Sequence, residues 1–487
     1  MMKTLILITM MLLLIGRAGA ALAEGAKLPD GLELKKPYKK AGENNPLFTQ
    51  RFGADPGVME YNGRLYVYLT DDVIETGADG KVRENSYSQI VKISCLSSDD
   101  LVNWTDHGLI PVAGPAGIAR WAVNSWAPCA AHKTIDGKER FFLYFCNGGN
   151  GIGVLSSDSP EGPWEDPLGH LLITRSVPNC GNVVWLFDPA VMVDEDGTGY
   201  LAFGGGVPQG KQADPGTGRI VRLAPDMIHL DGDPVTVDAP WLFEDSGLNR
   251  INGKYIYSYC SNWQTKGNNL RLTDGAIQYM TADDPLGPYT YAGELFPNEG
   301  RFFGLYGNNH HSIACLNGQY YLFYHSRPVE KAMNISGNYR SPQVDMIRIG
   351  EDGMPEQVKG TMKGPEQLKP LDPYAGVSAC TMASQAGLRF TKGDGWQGSS
   401  GTGGCWLRIA EAGFGEGTEM LTVRAMSETG GDLYLMTGGP DGTVAAKIPV
   451  PVGTEPAETE CPLALNGVQD VWFVFGGEIT FVSWQVR

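Results

Sequence analysis

Residues 187–205 read FDPAVMVDEDGTGYLAFGG: a polar start at Asp188-Pro189, an apolar stretch, an Asp-Gly turn and an aromatic and aliphatic run. Asp196-Gly197 is a dipeptide that tight hairpins demand, because both residues accept positive φ at little cost. The stretch therefore reads as a β-hairpin. Four others repeat it: ADPGVMEYNGRLYVYL from residue 54, WAPCAAHKTIDGKERFFLYF from 126, FEDSGLNRINGKYIYSYC from 243 and NHHSIACLNGQYYLFYH from 309. The five turns, at Asn62-Gly63, Asp136-Gly137, Asp196-Gly197, Asn252-Gly253 and Asn317-Gly318, lie 74, 60, 56 and 65 residues apart. That spacing is too long for a solenoid repeat and suits one four-stranded blade per repeat. The expected fold is all-β, a five-bladed β-propeller.

Further strand patterns fill each unit, as in IVKISCLSS, IGVLSSD, RIVRLA and AIQYMTA, and the pieces SSDDLVNW, SSDSPEGPW and TADDPLGPY read as one outer turn used three times. After the fifth unit, GTMKGPEQLKPLDPYAG carries three prolines and three glycines. The reading therefore gives a propeller over 24–360, a linker over 361–374 and a C-terminal β-sandwich over 375–487, whose strand runs include MLTVRAM, DLYLMTG and DVWFVFGG.

Residues 1–23 read as a secretory signal: Lys3, an apolar run from Leu5 to Ile15, then Ala21-Leu22-Ala23. The run is too short to span a bilayer, so cleavage and a secreted or periplasmic location are expected. Loss of Lys3 and Arg17 takes the formal net charge from −17 to −19. A chain this acidic is repelled by nucleic acid and by anionic membranes, which favours a neutral substrate. The nine cysteines form no CxxC pair, so a zinc site is not expected, and several sit in apolar strand runs as small hydrophobes. Sequence assigns neither their pairing nor an oligomeric state.

Counting back seven or eight residues from four of the turns reaches Asp55, Asp188, Glu244 and His310. If the blades close into a ring, these side chains converge on its axis. Carboxylates brought together raise one another's pKa, a cost to folding that points to chemistry. Glycoside hydrolysis uses such a set: one acid stays protonated to release the leaving sugar oxygen, and another stays ionised to activate water on the opposite face. Strand alternation turns the neighbouring Asp245 the other way.

The five quoted stretches, together with SWAP before Cys129 and YHSR ending at Arg327, resemble glycoside hydrolase family 43 from about residue 45 to 360. These are five-bladed enzymes acting on arabinose- and xylose-containing polymers. The resemblance implies that Asp55 is the general base, Asp188 the acid that tunes and orients, and Glu244 the general acid. It implies that Trp126 lines the sugar subsite, with Trp121, Trp185, Phe187 and Trp263 as further stacking candidates, and that Arg327 bonds sugar hydroxyls. His310 matches a family histidine that helps hold a calcium ion, largely through waters, in the channel, a place His311 fits equally by sequence. The tail resembles, more loosely, a family 6 carbohydrate-binding module, departing from it at VSACTMA, Ser483 and Glu455-Pro456.

The expected activity is an inverting α-L-arabinofuranosidase that trims arabinose from the plant cell-wall polysaccharide arabinoxylan or a related hemicellulose. The alternatives are a β-xylosidase or endo-arabinanase on the same scaffold, a non-catalytic sugar-binding propeller, and a protein-interaction scaffold.

Overall fold

The computed structural model describes residues 27–487. The expected signal segment lies outside them. No helix in the described residues is long and apolar enough to cross a membrane.

Each of the five repeats forms its own antiparallel sheet. The first blade holds Ala54–Tyr61, Arg64–Thr70, Lys92–Ser98 and Trp104–Pro111. The third runs from Ala190–Val193 to Val235–Val237, and the fourth from Leu242–Ile251 to Thr290–Phe296, each with four strands. The second blade (Trp126–Ile135, Lys138–Cys146, Ile152–Ser157) and the fifth (His311–Leu316, Gln319–Ser326, Ser341–Ile347) have three, correcting the uniform four expected. In the second, the outer position shrinks to a bridge between Ser156 and Glu165. In the fifth, residues before the first blade lie along the outer strand: Leu47 donates to Pro342, and Asn45 exchanges bonds with Val344.

Why the sheets close into a ring follows from where their apolar faces go. One buried cluster lies between each neighbouring pair of blades. Tyr66 and Tyr68 meet Phe141 and Leu143; Phe142 and Tyr144 meet Leu201 and Phe203; Ala202 and Ile220 meet Leu248 and Tyr257. Ile256 and Ile277 meet Leu322 and Tyr324, and Phe323 and Val344 return to Val67 and Trp104 of the first blade. A side chain that buries apolar area on both sides of its sheet fixes the blade angularly, at roughly 25 cal/mol per Å² removed from water. The inner strands surround a channel of about 50 Å³, lined by residues 56–58, 128–130, 189–191, 246–249 and 310–313. They approach so closely that a Cβ on Gly57 would stand 2.0 Å from the Pro128 carbonyl oxygen.

The C-terminal region is a sandwich of a six-stranded and a five-stranded sheet around Leu407, Phe473, Phe481 and Trp484. Two features change the expected partition. Leu28, Leu32 and Leu34 pack on the sandwich residues Trp406 and Tyr434, so the start of the described chain belongs to the sandwich side rather than to the propeller. Thr381–Met382 pairs with Trp104–Pro111 and adds a fifth strand to the first blade. The joint is tight: Asn103 exchanges two hydrogen bonds with Ala410, and Phe390 fills the place a side chain would take on Gly108.

Candidate active site

The acids sit where the inner strands begin, and the backbone there is unusual. Asp55, Ala127, Asp188 and Asp245 all have positive φ, at 49°, 38°, 49° and 64°. For a residue with a Cβ, this conformation costs on the order of 1–2 kcal/mol, least for Asp, which can bond locally. Ladder register breaks at the same point in the first, second and fourth blades. Such bulges re-aim side chains. They also correct the sequence register: the equivalent of Asp55 and Asp188 is Asp245, with Glu244 one residue earlier. Nor does Asp245 turn away, because alternation fails within a bulge. Its Oδ1 lies 3.1 Å from His310 Nε2, and its Oδ2 lies 2.5 Å from His311 Nδ1.

Asp55, Asp188 and Glu244 do come together. His310 Nδ1 stands 3.7 Å from Asp55 Oδ1 and 3.9 Å from Asp188 Oδ2, which bounds the separation of those two carboxylates at the sum of the distances. The amide of Asp245, next to Glu244, donates to Asp188 Oδ2 at 2.9 Å. Both carboxylates raise the pKa of Glu244.

Their surroundings divide their protonation. Burial alone would raise Asp55, but Arg340, His310, His325 and Thr70 outweigh it and hold the carboxyl at about 2. Arg340 donates to Asp55 Oδ1 at 2.7 Å while its other guanidinium nitrogens grip Asp72, and Thr70 donates to Asp55 Oδ2 at 2.7 Å. Burial, reinforced by the Arg340 charge beside it and opposed by Asp55, pushes His325 down to about 3. It is therefore neutral, and its Nδ1 accepts the Asp55 amide while Nε2 donates to Asn308.

Burial raises Asp188 to about 7, against the pull of His310 and the Asp245 amide. Cys146 frames it, its sulfur accepting the Asp188 amide at 3.0 Å. Glu244 has no such help: burial, then Asp188, Asp245 and Asp55, push it well above the usual carboxyl range, with only Arg340 opposing. Its Oε1 is buried without a hydrogen-bond partner.

Three more buried atoms lack partners in the same neighbourhood: Glu299 Oε2, Asn309 Oδ1 and Arg327 Nε. Glu244 and Glu299 both act on the Cys260 thiol, which bonds the Asn309 backbone, while Arg327 acts on Glu299. Buried polar groups are otherwise nearly always satisfied, so a cluster of orphans marks a place for a polar ligand.

Five of the remaining expected residues fall into two groups. Trp126, Phe187 and Trp185 cluster around Ala127 and Cys146, against Asp188, with Trp185 also meeting Phe243 edge-on. Trp126 Nε1 donates to the Tyr87 carbonyl. Across the axis, Arg327 donates to Asn338 and to the Tyr306 carbonyl, and Trp263 lies half-exposed over Gly275. Trp121 stacks on Phe145 and bonds Asp166, as blade packing. Sequence reading missed Arg340, Asp72, Thr70, His325 and Cys146. Thr70 and Asp72 follow the stretch that begins at residue 54, and His325 ends the one that begins at 309, but nothing in the pattern paired them with Asp55.

His310 does not fit direct ligation of calcium. Both of its nitrogens face carboxylates, and Asp245, Asp188 and Asp55 overcome burial to raise its pKa, the state of an imidazolium rather than a metal ligand. Calcium also prefers six to eight oxygen ligands. No group of three or more His, Cys, Asp or Glu among the described residues is arranged to hold a metal. His311 is engaged too, between Asp245 and Ser258 Oγ.

Comparison with known proteins agrees with this geometry. Residues 43–355 match Glycosyl hydrolases family 43. Arabinoxylan arabinofuranohydrolase of Bacillus subtilis is 42% identical over 92% of this chain and 93% of its own. The enzyme of the same name from Paenibacillus polymyxa is 42% identical over 90% of this chain and 73% of its own. A crystal structure of a family 43 arabinoxylan arabinofuranohydrolase from Bacillus subtilis, in complex with cellotetraose, superposes with a TM-score of 0.90 at 40% identity, covering 93% of this chain and 99% of that one. The chain belongs to glycosyl hydrolases family 43.

Proposed function

We propose that this glycoside hydrolase removes α-L-arabinofuranosyl side chains from arabinoxylan or a related hemicellulose, with inversion at the anomeric carbon. The observation that carries the reading is the opposed protonation of two neighbouring carboxyls, the buried Asp55 held at about 2 and the partly buried Glu244 pushed well above the usual range and so kept protonated. Glu244 gives its proton to the glycosidic oxygen as the bond from that oxygen to the anomeric carbon breaks. A water attacks the same carbon from the opposite face and loses its proton to Asp55. Asp188 does not meet the reacting atoms in this scheme; when ionised, it helps keep Glu244 protonated.

The orphaned polar atoms beside Glu244 suit the hydroxyls of a sugar ring, and Trp126 and Phe187 offer it an apolar wall. The 42% identical relatives carry the name of the same activity. We place the enzyme's action outside the cytoplasm on residues 1–23 of the sequence alone.

The test is release of arabinose from arabinoxylan and from nitrophenyl α-L-arabinofuranoside, beside nitrophenyl β-D-xyloside, with NMR of the first-formed anomer. Inverted arabinose is expected. A retained anomer would remove the water-activating role from Asp55, and faster xylose release would move the substrate assignment.

A further inference from the structure

Glu299 is a buried acid that takes no part in the proton transfers above. It is 1% exposed, and no described group bonds its Oε2. Burial pushes its carboxyl well above the usual range against the pull of its own amide, of Arg327, of the Gly307 amide and of Arg340, so it carries a proton and can donate a hydrogen bond. Arg327 is close enough to influence it, yet the two do not pair, and Arg327 Nε is likewise buried without a partner.

Gly307 lies between them. A Cβ on Gly307 would stand 3.3 Å from Glu299 Oε1 and 3.9 Å from Arg327 Nε. The missing side chain thus leaves a gap flanked by the Glu299 carboxyl and the Arg327 guanidinium, at a residue that is itself only partly buried. The gap adjoins the catalytic pocket: the next residue, Asn308, accepts from His325, which holds the Asp55 amide.

We propose that Glu299 and Arg327 form a cradle across Gly307 that takes one hydroxyl of the substrate's sugar, making Glu299 a specificity-determining residue. The proposal rests on the sugar-cleaving function above and adds which chain atoms read the ring. A hydroxyl oxygen has two lone pairs, enough to accept from both donors at once. A buried donor deprived of its acceptor is costly, so a substrate lacking that hydroxyl is rejected more strongly than its small loss of size suggests.

The test joins protein variants to a series of singly deoxygenated nitrophenyl arabinofuranosides. Gly307→Ala fills the gap without needing a left-handed backbone, and both contacts of the new methyl exceed 3.0 Å. It should raise KM by roughly tenfold or more, the worth of a hydrogen bond to a charged or buried group, with kcat changed much less. Glu299→Ala should do the same, while Glu299→Gln, which keeps a neutral donor, should stay within about threefold of the wild type. One deoxy substrate should be poor for the wild type and suffer no further loss in Gly307→Ala, because the contact it lacks is already gone.

Unchanged KM in both Gly307→Ala and Glu299→Ala, with melting temperatures preserved, would overturn the proposal. So would equal further losses for every deoxy substrate. If the wild type cleaves no arabinofuranoside, the function is misread, and NMR titration with free arabinose and xylose still decides the cradle. Weaker binding of either sugar to Gly307→Ala than to the wild type supports it; unaltered or absent binding of both overturns it.

Discussion

Asp55 and Glu244 stand near the starts of inner strands on the first and fourth blades, both in the protein interior, yet one is a strong acid and the other remains protonated. Burial raises both, so burial is not what separates them. The difference is in partners. Asp55 meets a guanidinium, a hydroxyl and a histidine that accepts its amide, whereas Glu244 meets three other carboxyls and an empty place at Oε1. A propeller can supply this asymmetry because each blade approaches the axis with a different sequence on the same backbone.

The most severe way to break the comparison is to delete each carboxyl. Asp55→Asn and Glu244→Gln should each lose roughly 10²–10⁴-fold in kcat on arabinoxylan. They should part company on nitrophenyl arabinofuranoside, whose leaving group needs little protonation: Glu244→Gln should recover much of its loss there and Asp55→Asn almost none. Steady-state kinetics on the two substrates reads this directly.

Next in size is the tuning acid. Asp188→Asn removes a carboxyl that, once ionised, repels the ionised form of Glu244, so the Glu244 pKa falls and the basic limb of the kcat/KM profile moves to lower pH. Activity on the basic limb, rather than at the optimum, should drop as the acid deprotonates.

Arg340→Lys tests the opposite side. A lysine cannot hold Asp72 and Asp55 together, so the Asp55 pKa rises and the acidic limb moves to higher pH, while Glu244 is disturbed less. The same change bears on stability. Because folding lowers the Asp55 pKa from 3.8 to about 2, its contribution is present above 3.8 and is lost as pH falls through 2. Melts between pH 2 and 4 should show a weaker dependence on pH in the variant.

The smallest effect is expected far from the pocket. Lys39 is buried where the propeller meets the sandwich, donating to Ala383 and Asn44, and burial, then Arg408, lowers its pKa from 10.5 to about 7. Between those values the unfolded chain binds the extra proton, so stability rises with pH across the window. Lys39→Met should flatten that rise in melting temperature from pH 7 to 10 and leave kcat unchanged.

Much of the fold was legible because the signals were local. Asn-Gly and Asp-Gly fix hairpins within a few residues, and their spacing counted the blades. What failed was the assumption that alternation runs unbroken to the end of each strand. The left-handed residues at 55, 127, 188 and 245 reset the register just where the acids stand, and only two of the four residues expected on one position share it with Asp245. The partners of Asp55 were not legible at all. Arg340 and His325 lie 285 and 270 residues away, and their proximity is a product of ring closure rather than of any pattern near the first blade.

The strand at Thr381–Met382 makes the C-terminal region part of the first blade's own hydrogen-bonding. Cutting the chain in the preceding Pro-rich stretch would not liberate a finished catalytic unit. It would strip the outer ladder from Trp104–Pro111 and present unsatisfied amides and carbonyls to any neighbouring polypeptide, a recipe for fibrous association. For anyone building chimaeras, the two halves of this enzyme are therefore a single cassette, to be exchanged whole.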